Sequence, residues 1–157
     1  VRTTGAVPHI GTRLGSTKTS QPCRTGKPVP PIYHRQNRED PMDKTKIETF
    51  DNAYPGRDYK ISINCYEFTS VCPKTGNPDF GTLHIEYIPD QKCLELKALK
   101  FYFFGFRNEG IFYEMIINKI LDDLVEACQP RWMEVKGDFN IRGGIDTIVT
   151  ATYQKEQ

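Results

Sequence analysis

From Tyr59 onward, apolar and polar residues follow two different periods. YKISINCYEF, residues 59–68, alternates in twos, the period of a strand with one face turned inward. FGTLHIEYIP at 80–89 repeats the pattern, and Pro89-Asp90 predicts a turn. LELKALKFYFFGFRN at 94–108 begins strand-like and becomes helical, and Gly110 breaks it. In IFYEMIINKILDDLVEAC, residues 111–128, Ile116, Ile120 and Leu124 recur on one face, flanked by Ile117, Leu121 and Cys128. That spacing predicts an amphipathic helix, which Pro130 ends. WMEVKGDF at 132–139 sets Met133, Val135 and Phe139 against Glu134, Lys136 and Asp138, and IDTIVTATY at 145–153 is a last strand. The order β-β-α-α-β-β predicts an α+β fold, an antiparallel sheet with two helices on one face. Such a sheet has two open edges and a small core, so edge-to-edge assembly into a barrel is the expected remedy.

No such period holds before residue 42. Residues 1–41 carry seven Lys/Arg against Glu39 and Asp40, a net of +5, with many Pro, Gly, Ser and Thr. They read as a disordered basic extension, with Met42 as the expected natural start and 42–157 as the folded domain. The remaining 14 basic and 18 acidic residues, a net of −4, speak against non-specific nucleic-acid binding by that domain. No apolar run reaches the length of a membrane span. Five cysteines without CxxC or CxxH spacing argue against a disulfide framework or a finger-type zinc site, and for a reducing, cytoplasmic setting.

SVCPKTGNPDF, residues 70–80, carries the most pointed chemistry. Cys72 and Asp79 share one short loop punctuated by Pro73, Gly76 and Pro78. A thiol becomes a strong nucleophile once its pKa falls, and a nearby carboxylate can take its proton or deliver one. The plainer reading is a structural Cys beside a turn-forming Asp. In ELKALK and its continuation, Lys97, Lys100 and Arg107 fall in one helical stripe that suits a polyanion such as a dinucleotide phosphate, or that is simply a solvated face. Arg142-Gly143-Gly144 adds a cation beside permissive backbone. Glu114, in the first turn of the long helix, suits the helix dipole. It also suits the N–H and amine edge of a guanine-like ring, on which Phe112 and Tyr113 can pack. His84 has no ligand-spaced partner, which disfavours a metal, and neither GxGxxG nor GxxxxGK[ST] occurs.

Taken together, FTSVCPKTGNPDF, ELKALKFYFFGFRNEGIFYE and GDFNIRGG closely resemble the QueF family, the NADPH-dependent reductases of the nitrile 7-cyano-7-deazaguanine (preQ0), over about residues 58–153. The family signature E-[S/L]-K-[S/A]-x-K stands here as Glu95-Leu96-Lys97-Ala98-Leu99-Lys100. The resemblance implies the tunnelling fold and, for the short single-module type, stacked rings with active sites between subunits. It implies that Cys72 attacks the nitrile carbon to form a thioimide, with Asp79 as proton donor or relay of the thiol proton. Two NADPH per turnover then reduce the adduct, through an imine, to the aminomethyl product preQ1, for queuosine in tRNA. It assigns Leu94, Glu95, Leu96, Tyr113 and Glu114 to the substrate, and Lys97, Lys100, Arg142 and Gly143 to the cofactor. No metal, membrane or bound nucleic acid is implied. Two positions depart from many members: Tyr113 stands for a His, and Leu96 for a Ser.

Other readings stay open at this point. An amidinotransferase-like relative would form the same thioimide and add ammonia to it, but such relatives lack the intact lysine signature. A silent deazapurine- or pterin-binding module would need Glu114 but neither Cys72 nor the basic stripe. An RNA-binding role would rest on residues 1–41 alone. Whether Cys65 or Cys93 can oxidise onto Cys72 is a further question the sequence raises.

Overall fold

The computed structural model describes Val1 and residues 47–156. The basic extension and the expected start at Met42 lie outside the described residues. Four long segments build the main sheet: β2 (Ile61–Val71), β3 (Pro78–Ile88), β5 (Trp132–Arg142) and β6 (Ile145–Gln154), antiparallel and in the order β2-β3-β5-β6. Between β3 and β5 run α1 (Leu96–Phe104), a 3-10 turn (Gly105–Asn108) and α2 (Tyr113–Cys128). This is the α+β arrangement the alternation predicts. A short antiparallel ribbon of β1 (Thr49–Asp51) and β4 (Lys92–Leu94) adds to it, too brief to leave a period in the sequence.

The core lies between the helices and one face of the sheet. Leu83, Ile85 and Tyr87 of β3 and Met133, Val135 and Phe139 of β5 point inward, against Ile116, Ile117, Ile120 and Leu124 of α2. Each such side chain contributes about 1.5–3 kcal/mol when fully buried, so these rows fix which face of each strand is inner. The helical stripe of Ile116, Ile120 and Leu124, with Ile117, Leu121 and Cys128 beside it, is buried throughout. Gln129, at φ 45°, caps α2 in the left-handed conformation just before Pro130.

A bulge in β2 decides which side chains of the strand's second half face the core. Ile61, Ile63 and Cys65 pair with Tyr87, Ile85 and Leu83, so odd-numbered residues face inward in the first half. The register then shifts between Cys65 and Phe68, with Tyr66 and Glu67 exposed. Beyond the bulge, Phe68 and Ser70 are the buried positions.

Candidate active site

The β2–β3 hairpin carries the thiol and the carboxylate. Ser70 pairs with Asp79 and Val71 with Pro78, and the Cys72 amide donates to the Asn77 carbonyl at 2.9 Å. Gly76 closes the loop at φ 73°, its amide donating to the Cys72 carbonyl at 2.9 Å. Because the bulge has switched the phase, Cys72 is in step with the buried Phe68 and Ser70. It therefore shares its side of the hairpin with Asp79.

Cys72 is half-buried, and its thiol pKa is lowered. The main cause is a hydrogen bond from the Thr75 side chain, followed by the Thr75 and Lys74 amides; burial and the nearby Asp79 oppose it. Asp79 ends the inward row of β3 and is only 2% exposed. A lone carboxylate there would be costly. Two groups meet it: the Tyr113 hydroxyl, which donates to Oδ1 at 2.7 Å, and the Arg142 guanidinium, whose Nη1 forms an ion pair with Oδ1, also at 2.7 Å. Arg142 Nη2 donates to the Pro78 carbonyl as well. No hydrogen bond joins Cys72 directly to Asp79 among the described residues. The Ser70 hydroxyl, directly across from Asp79, is fully buried without a partner among the described residues.

Tyr113 reaches Asp79 because the chain after the 3-10 turn is stitched to the hairpin. The Val71 amide donates to Glu109 at 3.0 Å, and the Ile111 amide to Val71 at 3.2 Å, a parallel bridge that sets the start of α2 beside Cys72. The Tyr113 ring stacks on Phe139 at 3.8 Å and 8°. Phe139 has room because Gly81 and Gly137 lack side chains. A Cβ on Gly137 would come within 2.8 Å of the Phe139 ring, and one on Gly81 within 3.0 Å. Burial and the bond to Asp79 push the Tyr113 hydroxyl up to about 12, so near neutrality it remains a donor.

The sequence pattern of the family described as QueF-like protein matches residues 78–157. An NADPH-dependent 7-cyano-7-deazaguanine reductase from Chlorobaculum tepidum is 64% identical over 116 residues, covering 74% of this chain and 99% of that protein. The chain belongs to the QueF family. A reductase of the same name from Chloroherpeton thalassium is 59% identical over 116 residues, 74% of this chain and 100% of that one. The crystal structure of the archaeosine synthase QueF-Like in the apo form superposes with a TM-score of 0.58 at 21% identity, over 62% of this chain and 96% of that one. That likeness is one of fold.

Within this QueF-family chain the expected residues fall into two groups. Cys72, Asp79, Tyr113 and Arg142 come together, with Glu114 next to Tyr113 on the first turn of α2. Glu114 is exposed, and its carboxylate has no partner among the described residues. Lys97 and Lys100, on α1, form no hydrogen bond or ion pair with that group through their side chains among the described residues. Both are exposed and free of ion pairs among the described residues. Helix α1 stops at Phe104, and the tighter turn after Gly105 brings Arg107 to the same ring as Lys100. The two cations lie 5.5 and 5.7 Å from the Phe104 centroid. Lys100, Leu96 and Phe104 line a groove of about 360 Å³ between α1 and the bulged part of β2.

Other expected residues already hold structural positions. Glu95 caps α1, its carboxylate oxygens accepting from Lys97 N at 2.9 Å and Ala98 N at 2.7 Å, which lowers its pKa. Leu94 is buried, its amide donating to the Tyr87 hydroxyl at 3.1 Å, while Leu96 is exposed. One face of the Tyr113 ring is taken by Phe139. Gly143 and Gly144, at φ 57° and 82°, form the two-residue turn between β5 and β6. Sequence reasoning missed Thr75, Ser70 and Phe139; only Thr75, inside the punctuated loop, left a local signal. Among the described residues no group of three or more His, Cys, Asp or Glu could hold a metal ion, and no helix is long and apolar enough to cross a membrane.

Proposed function

We propose that this chain catalyses the NADPH-dependent reduction of the nitrile of preQ0 to the aminomethyl group of preQ1, through a thioimide on Cys72, in queuosine synthesis. The observation that carries this reading is the pairing of an activated thiol with a buried, doubly held carboxylate on one hairpin. The names of its relatives supply the substrate and the cofactor.

Cys72 supplies the nucleophile, eased toward thiolate by Thr75 and the loop amides. Its attack on the nitrile carbon leaves negative charge on nitrogen, and Asp79 carries the thiol proton there. Tyr113 keeps Asp79 oriented as a hydrogen-bond donor, not as a proton shuttle. Glu114, exposed and without a partner for its carboxylate among the described residues, accepts from the N–H and amine edge of the deazaguanine ring. Lys97 and Lys100 fit a phosphate-bearing cofactor, since both are exposed and neither forms an ion pair among the described residues. NADPH, when bound, supplies hydride, two equivalents for each nitrile reduced to an amine. A site completed by a second copy of the chain, as in rings with sites between subunits, would bring such lysines to the Cys72 cluster of a neighbouring copy.

The test is to mix enzyme and preQ0 with and without NADPH, for the wild type and Cys72→Ala. A covalent adduct without NADPH, turnover with it, and loss of both in the variant are expected. An adduct that never oxidises NADPH would instead indicate an amidinotransferase-like enzyme. Neither adduct nor turnover from folded protein would leave only a binding module.

A further inference from the structure

Arg142 is expected at the cofactor, yet its guanidinium sits on the acid. Nη1 lies 2.7 Å from Asp79 Oδ1, while Nη2 holds the carbonyl of Pro78, the residue before it. One planar group thus grips both the side chain and the backbone of the same segment, which an ammonium point charge cannot do. The position is built. The β5–β6 register breaks between Phe139 and Arg142, and the Gly143-Gly144 turn follows at once, so Arg142 ends its strand at the Asp79 side of the sheet. Its side chain is 40% exposed and that of Asp79 3%, so the cation closes the mouth of a buried carboxylate.

The groups facing Asp79 are Tyr113 from α2, Arg142 from β5, Ser70 from β2, and Cys72 from the loop. Tyr113 and Arg142 both converge on Oδ1. Neither of these two contacts uses Oδ2, and the Ser70 hydroxyl opposite is buried without a partner among the described residues. We propose that Arg142 is a positioning residue for Asp79 in the covalent step, tethering Oδ1 so that Oδ2 moves the proton from Cys72 to the nitrile nitrogen. This inference rests on the nitrile-reductase reading above. In that step the S–H bond breaks, an S–C bond forms, and the C≡N triple bond becomes C=N. The proton passes through Oδ2 to nitrogen, Asp79 is a carboxylate again at the end, and nothing is oxidised or reduced.

A residue that served only the cofactor would be silent before the cofactor arrives. The experiment is therefore the rate of adduct formation with preQ0 in the absence of NADPH, followed by mass, for the wild type, Arg142→Gln and Arg142→Lys. The KM for NADPH and the melting temperature are measured alongside. Arg142→Gln is expected to slow the cofactor-free adduct roughly tenfold or more at a similar melting temperature, with Arg142→Lys in between. A wild-type adduct rate in Arg142→Gln, even with a raised KM for NADPH, overturns the proposal. If Arg142→Gln does not fold, the lysine variant decides in the same way: slowed adduct formation supports the tether and an unchanged rate refutes it. Absence of any adduct in the wild type would instead sink the reading on which the proposal rests.

Discussion

Replacing Tyr113 with Phe isolates a single hydrogen bond's contribution to the site. The ring stays where it is, because its stack on Phe139 at 3.8 Å and 8° does not use the hydroxyl. What goes is the 2.7 Å donor to Asp79 Oδ1. A hydrogen bond to a charged acceptor is worth about 1.5–3 kcal/mol net, or roughly 10- to 150-fold in a rate if the bond matters in full at the transition state. Oδ1 still keeps its ion pair with Arg142 at 2.7 Å, so the loss is one partner of two, and the lower part of that range applies, roughly 10- to 30-fold. The loss should fall on kcat and on the cofactor-free adduct rate, with the KM for preQ0 little changed. Single-turnover mass spectrometry and steady-state NADPH oxidation measure the two, with a thermal melt as the control for folding. A Tyr113→Phe enzyme within about twofold of wild type in both rates would refute the claim that this hydroxyl orients the acid.

Two further perturbations probe the thiol and the packing beneath it. Thr75→Ala removes the largest influence lowering the Cys72 pKa, so the pH at which Cys72 reacts with iodoacetamide should move upward, toward that of an ordinary thiol. An unmoved profile would mean that the loop amides suffice. Gly137→Ala would set a Cβ 2.5 Å from Ile117 Cδ1 and 2.8 Å from the Phe139 ring. Overpacking of this kind costs about 1–3 kcal/mol, which in a domain near 100 residues lowers the melting temperature by roughly 4–8 °C per kcal/mol. An unchanged melt would show that Ile117 and Phe139 give way freely.

Much of this architecture was legible because strands and the long helix write their burial into the chain. Leu83, Ile85 and Tyr87, and Ile116, Ile120 and Leu124, are visible as rows before any coordinates. Cys72 and Asp79 stand out in the chain as a thiol and a carboxylate in one punctuated loop, and Tyr113 is tied to that loop only by the fold. The pairing of Arg142 with Asp79 was not, because it joins residues far apart in sequence through a strand end whose direction depends on an irregular register. The bulge at Tyr66 and Glu67 was also hidden. A plain alternation carried from Ile61 to the strand end would turn Ser70 and Cys72 outward. Glu95 shows the reverse case: a residue assigned to the ligand by resemblance spends both carboxylate oxygens on a helix start.

The bridge from Val71 to Glu109 and Ile111, and the contacts of Asp79 with Tyr113 and Arg142, also order events in time. Cys72 and Asp79 are seven positions apart, so a nascent chain that has just passed Gly81 already holds both within one small loop. Their restraining neighbours come much later: Tyr113 some thirty residues on, and Arg142 some sixty. The thiol therefore leaves the ribosome well before the side chains that discipline its acid. During that interval the growing polypeptide carries this thiol with no finished pocket around it, open to oxidation until the β5–β6 hairpin closes.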